Sequence, residues 1–109
     1  LIESDHFKTI IDVISKNLLG AAVVIKDNKP IGIITDGDIR RVFTLESDYK
    51  NITAKDIMSN NPVIIDSETL ASSALSIMNE NKISQIVVTD NNNYSGLIHI
   101  HNILNEGLF

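Results

Sequence analysis

The sequence predicts a mixed α/β (α+β) fold built from two related units, each a small sheet flanked by helices. Three observations predict it. Gly32 and Gly96 each open an apolar run and lie 64 residues apart. The same shift superimposes the remaining apolar positions without a gap, as an internal duplication does. Within each half, apolar residues spaced three and four apart give way to short β-branched runs, which is the change from helix to strand.

Each half opens with a helix that buries one face. Its apolar residues recur at i, i+3, i+4 and i+7, the spacing of a single helix face. These residues are Phe7, Ile10, Ile11 and Ile14, and in the second half Ala71, Ala74, Leu75 and Met78. We expect helices over residues 6–17 and 68–81, started by the hydrogen-bond acceptors of Ser4-Asp5 and of Asp66-Ser67.

Two strands follow each helix. The apolar runs predict strands over residues 21–25 and 31–35, and over 85–89 and 95–99. Asp, Asn and Lys-Pro sequences between them predict turns. A second helix starts near Asp36 or Gly37 in the first half and near His101 in the second.

The middle of the chain predicts a boundary. Residues 55–58 favour a short helix that Asn60-Asn61-Pro62 ends, and residues 63–65 read as a strand. We therefore expect a first repeat over 1–50, a linker over 51–62 and a second repeat over 63–109. By the repeat, a strand should precede Leu1, so we expect a fragment of a longer protein. Packing the two sheets about a pseudo-twofold axis would leave two related clefts, where a ligand is expected.

Composition excludes several classes of function. The chain has 109 residues, 43% hydrophobic and 21% charged, with no cysteine and a net charge of −5. Cysteine chemistry is excluded, and the acidic charge argues against a nucleic-acid partner. The sequence has no membrane-span run, signal peptide, P-loop or nucleophile elbow. We expect a cytoplasmic, non-enzymatic chain that needs no cofactor.

The strongest local signal is the junction from residue 32 to residue 41. A helix N-terminus after a strand favours phosphate, and Gly37 would let a ligand approach the backbone. Thr35 would donate to a phosphate or sugar oxygen, and Asp38 would accept from a ribose diol. Arg40 and Arg41 would offset phosphate charge. The alternative is that Thr35-x-x-Asp38 is only a capping box.

The second half departs from this pattern. His99 replaces Thr35, and Asn102 replaces Asp38. Asn102 can still bind a sugar hydroxyl, and His99 and His101 could contact a phosphate or base. Three further residues that enter a strand would line this second cleft, namely Ile83, Ser84 and Gln85. No third ligand lies near the histidines in sequence, so we predict no metal site.

The repeat with segments 32–39 and 55–62 resembles a tandem pair of CBS (cystathionine-β-synthase-type) domains, a Bateman-type module, over essentially the whole chain. Segments 34–41, 52–58 and 97–107 are similar to the CBS pair of bacterial D-arabinose 5-phosphate isomerases. The resemblance implies a regulatory pair beside a catalytic sugar isomerase (SIS) domain that supplies Kdo synthesis for lipopolysaccharide or capsule. It implies that Thr35 and Asp38 hold a nucleotide's phosphate and ribose, and that CBS pairs form flat homodimers within a homo-oligomer. An adenine nucleotide or the end product CMP-Kdo would be the ligand.

Two alternatives stay open. The pair could be an oligomerisation scaffold with empty clefts, which the divergent second repeat favours. It could also belong to a CBS-linked sugar nucleotidyltransferase, since some of these carry a segment similar to 34–41.

Overall fold

The structure is a computed structural model that describes residues 1–45 and 49–106. Contacts divide the chain into two compact units, Leu1–Pro62 and Val63–Phe109. The segment 51–62, which the sequence assigned to a linker, thus lies with the first unit. Each unit holds one small sheet and its helices, so the predicted fold class is confirmed.

The first unit is built on an antiparallel sheet of order β1-β2-β3. Its elements are α1 (Phe7–Asn17), β1 (Ala21–Lys26), β2 (Lys29–Thr35), α2 (Asp36–Leu45), a 3-10 turn (Tyr49–Asn51), α3 (Ala54–Ile57) and β3 (Ser59–Asn60). The Ile25 N–H donates to the Leu1 carbonyl over 2.8 Å, which places Leu1 beside β1.

The second unit repeats this plan. Its sheet has the order β4-β5-β6, with β4 parallel to β5 and β6 antiparallel to it. Its elements are β4 (Ile64–Asp66), α4 (Ala71–Asn81), β5 (Gln85–Asp90), β6 (Asn93–His99) and α5 (Ile100–Glu106). The strand predicted over 63–65 is thus found one residue further along the chain.

Pairing in the two hairpins shows that they are duplicates. Gly32 pairs with Val24, and Gly96 pairs with Val88. Each hairpin carries a register irregularity directly after that valine. The duplication read from the 64-residue shift therefore extends to backbone geometry.

The hairpin turns are tighter than the sequence predicted. Asp27 and Asn28 have φ of 52° and 64°, and Asn91 and Asn92 have 52° and 66°. Two consecutive positive φ values are typical of the two-residue type I′ turn, which suits the twist of paired strands. The strands consequently extend to the turns, so β2 and β6 each begin two residues earlier than predicted.

The predicted cap of the first helix is wrong. α1 begins at Phe7, after an N-cap His6 that makes no side-chain capping bond. The Asp5 carboxylate instead accepts from the Ile2 N–H over 2.8 Å. The side chain therefore closes a turn that precedes the helix.

The second helix shows the same error. α4 begins at Ala71, three residues later than predicted, with Leu70 as an N-cap that makes no side-chain bond. Asp66 Oδ1 accepts from the Glu68 N–H over 2.9 Å. This local turn uses the carboxylate before the helix begins.

Residues 51–62 pack on the first sheet. Ala54 is fully buried, and α3 begins there, one residue before the predicted start. Ser59 pairs with Ile33 and Asn60 with Gly32, which makes β3 a strand that the sequence did not predict. A two-residue strand has no periodicity to detect, and only its distant partner reveals it.

Each unit has its own hydrophobic core. The first contains Ile10, Ile14, Ala22, Val24, Ile34 and Ala54. The second contains Ile65, Ala74, Met78, Ile86, Val88 and Ile103. Buried Ile34 and Ile103 fix the ends of β2 and α5, so both strand-to-helix junctions are held on rigid elements. No helix in the described part of the chain is long and apolar enough to cross a membrane.

Candidate functional site

The junction of β2 and α2 folds around one buried carboxylate. Asp38, in the first turn of α2, is only 7% exposed. Its Oδ2 accepts from the Thr35 N–H over 2.8 Å and from the Thr35 hydroxyl over 3.2 Å. Its Oδ1 accepts from Arg41 Nη2 in an ion pair. Three donors therefore offset the desolvation of this charge.

This hydrogen-bond set limits what Asp38 can bind. A carboxylate offers about four acceptor positions, and three are occupied here. A ribose diol donates two hydrogen bonds, so it needs one position more than remains. Because the Arg41 side chain is 65% exposed, it is free to turn outward and release Oδ1.

The capping alternative is visible in the same geometry. The bond from the Thr35 N–H to the Asp38 carboxylate is the reciprocal half of a capping box. This half of the cap therefore forms, and it uses the Asp38 carboxylate that the nucleotide hypothesis also needs. Thr35 is half-buried, and its hydroxyl must turn from Asp38 before it can donate to a phosphate.

Gly37 and Arg40 lie on the open side of this junction. A Cβ at Gly37 would meet the Thr35 hydroxyl at 3.6 Å and Arg41 Nη1 at 3.9 Å, which are ordinary contacts. The surrounding protein therefore does not require a glycine at position 37. Arg40 is exposed and makes no ion pair with another described residue, so its charge is available to a ligand.

A cavity of about 490 Å³ opens beside this carboxylate. It is lined by Asp38, Arg41, Val42, Leu45, Ile52, Asp56 and Ile57. The lining thus contains the ion pair and a second carboxylate among mostly apolar side chains.

The second carboxylate on this cavity, Asp56, repeats the turn seen at Asp38. It accepts from the Thr53 N–H over 2.9 Å and from the Thr53 hydroxyl over 3.0 Å. These two bonds, the backbone one first, lower the pKa of Asp56 below its ordinary value of 3.8. Asp56 is therefore charged at neutral pH and disfavours an anion beside it.

The start of α5 has the same turn with an amide. The His99 N–H donates to Asn102 Oδ1 over 2.8 Å, as Thr35 does to Asp38. The Asn102 NH₂ group then faces outward as a donor only. Asn102 can therefore give a hydrogen bond to a sugar or phosphate oxygen, but it cannot accept two ribose hydroxyls as a free carboxylate could.

The two predicted histidines stack on each other. The rings of His99 and His101 lie 4.8 Å apart at 22°, and the His101 N–H donates to His99 Nδ1 over 3.1 Å. This bond uses His99 Nδ1, so the Nε2 atom is the ring nitrogen left for a ligand. Among residues 1–45 and 49–106, no three metal-ligating side chains come together.

Asn102 lies in the wall of a second cavity, of about 360 Å³, contained in the second unit. The other polar residues of this wall are Asp66, Ser67 and Thr69, none of which was predicted as a site residue. Asp66 ends β4, and Ser67 and Thr69 follow it in a loop, where the Ser67 N–H donates to the Thr89 carbonyl over 2.7 Å. A run of polar residues directly after a predicted strand was the available signal.

The segment 83–85 has a structural role in this unit. Ile83 packs against the second core, and the Ser84 carbonyl accepts from the Ile100 N–H over 2.7 Å at the start of α5. Gln85 pairs with His99 across the sheet. These three residues and the two histidines are absent from the wall that holds Asn102.

Comparison with known proteins identifies the family. The CBS domain family matches residues 3–44 and 54–108. The chain belongs to the CBS domain family. It carries two CBS domains in tandem, and the second match begins at residue 54, within the first compact unit.

Relatives of this CBS pair include longer proteins. It is 40% identical over 107 residues to the uncharacterized protein RP505 of Rickettsia prowazekii, covering 97% of this chain and 33% of that protein. It is 35% identical over 100 residues to the arabinose 5-phosphate isomerase KdsD of Escherichia coli K12, covering 91% of this chain and 30% of KdsD. The pair therefore spans about a third of the length of the curated relatives it matches.

A solved structure shares the fold. The CBS domain protein PAE2072 from Pyrobaculum aerophilum, complexed with AMP, superimposes with a TM-score of 0.83 at 23% identity. The match covers 97% of this chain and 87% of that one.

Proposed function

We propose that this CBS pair is a non-catalytic sensor that binds a nucleotide at the start of α2 and regulates a sugar-phosphate isomerase to which it is joined. The observation that carries the proposal is the buried Asp38, ion-paired to Arg41 and bonded to Thr35. The carboxylate, the hydroxyl and the cation are the groups that a ribose and a phosphate require.

Binding is an exchange of partners. A phosphate attracts Arg41 away from Asp38, while the exposed Arg40 adds a second positive charge. Departure of Arg41 frees Asp38 Oδ1, and the carboxylate then has two acceptor positions for the ribose hydroxyls. The phosphate thus takes over Arg41, and the ribose hydroxyls take the acceptor position that Arg41 leaves on Asp38.

Two comparisons support this proposal. PAE2072, which has the same fold, is complexed with AMP, and KdsD is an arabinose 5-phosphate isomerase that contains a similar region. By this analogy the parent protein interconverts ribulose 5-phosphate and arabinose 5-phosphate. AMP and ATP are the first ligands to test, with CMP-Kdo as a candidate end product.

A thermal-shift panel with AMP, ATP, CMP, CMP-Kdo and arabinose 5-phosphate tests the sensor. A ligand at 100 times its Kd adds about 2.7 kcal/mol of stability, which for this size is a rise in Tm on the order of 10 °C. We expect such a shift with a nucleotide and none with the sugar phosphate. A shift confined to CMP-Kdo would identify feedback by an end product.

A matched pair of variants locates the site. Asp38→Asn keeps an acceptor for the Thr35 N–H but removes the charge that pairs with Arg41, so we expect nucleotide affinity to fall by tenfold or more. Asp36→Asn removes the same charge from the same helical turn, at an exposed side chain that is not among the hydrogen-bond partners of Asp38. Equal affinity in the two variants would show that α2 does not hold the ligand.

A scaffold role is the second candidate, and exposed apolar side chains on the first unit favour it. Leu18 is 88% exposed, Leu45 75% and Phe43 56%. Exposed apolar groups of this size are typical of protein interfaces. Sedimentation of the chain as a stable dimer, together with no shift from any nucleotide, would support the scaffold over the sensor.

A further inference from the structure

One of the two equivalent glycines is covered by a methionine side chain. The position that a Cβ would take at Gly32 lies 2.5 Å from Met58 Sδ and 2.9 Å from its Cγ. Real Cβ contacts essentially never fall below 3.0 Å. β3 continues from Met58 and pairs Asn60 with Gly32 and Ser59 with Ile33. Glycine at position 32 thus leaves room for the Met58 side chain, which lies directly before β3.

The equivalent glycine in the second unit has no such neighbour. Gly96 pairs with Val88 as Gly32 pairs with Val24, but nothing lies within 4 Å of the Cβ position at residue 96. Its backbone does not require glycine either, because Gly20 is the single glycine with positive φ in the described part of the chain. Within that part, nothing explains why residue 96 lacks a side chain.

The sheet edge at this glycine is also open. β3 covers the outer edge of β2, whereas β6 is the last strand of its sheet among residues 1–45 and 49–106. An edge strand offers unpaired N–H and C=O groups to another extended segment. The missing Cβ and the open edge coincide at the same residue.

We infer that the outer edge of β6 at Gly96 and Leu97 docks an extended antiparallel strand whose methionine, or similar unbranched apolar side chain, rests on Gly96. The occupant is a segment of the polypeptide outside residues 1–109, of the same kind as Met58-Ser59-Asn60. The matched relatives are about three times as long as this chain, so a protein of their kind has ample polypeptide to supply it. This inference is independent of nucleotide binding.

A second copy of the chain is the less suitable occupant. Its own Met58 already lies against Gly32, and its Ser59 and Asn60 are paired with β2. Donating that strand would open the first unit of the donor, whereas a separate segment loses no pairing.

The test tethers a copy of residues 54–61 to the C-terminus through a flexible Gly-Ser linker of about 30 residues, whose root-mean-square span is roughly 30 Å. Amide hydrogen exchange is measured by NMR. We expect the edge-facing amide of the Gly96–Leu97 segment to exchange at least tenfold more slowly than without the tether. The Gly32–Ile33 amides should not change, which excludes replacement of β3 by the copy.

Two substitutions test whether the protection depends on Gly96 and on the methionine of the tethered copy. In the untethered chain, Gly96→Ala leaves the urea midpoint unchanged or higher, because its Cβ meets nothing, whereas Gly32→Ala lowers it. In the tethered protein, Gly96→Ala removes the protection, and so does Met→Ser in the tethered copy. Protection that survives both changes, or no protection from the unmodified copy, overturns the inference. Protection that appears without the tether, rises with protein concentration and accompanies a dimer in sedimentation also overturns it, in favour of a second copy.

Discussion

At the residue scale, the same side-chain turn serves two different environments. Asp38 and Asp56 each accept from the N–H and hydroxyl of the threonine three residues earlier. Asp38 is buried and gains Arg41, while Asp56 is exposed. The motif alone therefore specifies a turn, and its surroundings decide whether it can also bind a ligand.

Because of the turn from Thr53 to Asp56, we expect the free energy of unfolding to depend on pH in the acid range. Hydrogen bonds from Thr53 lower the pKa of folded Asp56 below 3.8. Its contribution is therefore fully present above that value and is lost as pH falls through the lower folded pKa. In urea unfolding from pH 6 to pH 2, we expect Asp56→Asn to be less stable than wild type at pH 6.

That difference should begin to shrink as the pH falls below 3.8 and disappear only below the lowered pKa of folded Asp56. The control is Asp12→Asn, at an exposed carboxylate on α1 that has no resolved hydrogen bond. A stability difference for Asp56→Asn that stayed constant across the acid range would contradict this role for the carboxylate.

At the element scale, both long helices end in the same strained conformation. Leu18 follows α1 with φ of 59°, and Lys82 follows α4 with φ of 55°. The left-handed conformation costs a side-chain-bearing residue roughly 1–2 kcal/mol, and glycine adopts it freely. Leu18 and Lys82 are therefore strained, because neither of these helix-ending residues is a glycine.

Replacing these caps with glycine should stabilise the protein. We expect Leu18→Gly and Lys82→Gly each to raise the free energy of unfolding by about 0.5–1 kcal/mol, since glycine's unfolded-state entropy offsets part of the relief. Urea unfolding measures the change. Asp12→Gly inside α1 is the control and should lower the free energy of unfolding by about 0.3 kcal/mol, the difference between the helix propensities of the two residues. A loss of stability at both caps would show that the strain is not released.

The elements show how far sequence reasoning extends. The 64-residue repeat predicted both hairpins and both long helices, because apolar spacing reports directly on local structure. It missed β3, whose two residues are defined by a partner about 27 positions away along the chain. It also misplaced the helix starts, because Asp5 and Asp66 close turns that precede the helices.

The sequence predicted where the candidate site lies along the chain, but it did not predict which side chains are paired there. Thr35, Asp38 and Arg41 are where the motif placed them, at the start of α2. Sequence spacing did not reveal that Arg41 satisfies Asp38, because that depends on side-chain geometry. Nor did it find Asp66, Ser67 and Thr69, which meet Asn102 only in the folded second unit.

At the scale of the whole molecule, regulation requires a difference in affinity between two states. A nucleotide that binds both states equally shifts nothing, however tightly it binds. Where the CBS pair is joined to an isomerase domain, a nucleotide that changes the affinity for the sugar phosphate must be affected by it in return. The two factors are equal, and coupling of this kind typically amounts to about 5–150-fold.

Under the proposed function, we expect the nucleotide Kd, measured by calorimetry on a protein that joins the pair to an isomerase domain, to change when a non-reacting sugar-phosphate analogue saturates that domain. The analogue Kd should change by the same factor at saturating nucleotide. Asp38→Asn should abolish both effects and Asp36→Asn neither, because the effects depend on the exchange of Arg41 between carboxylate and phosphate. Nucleotide binding with no coupling in either direction would leave the site at α2 in place but remove its regulatory role.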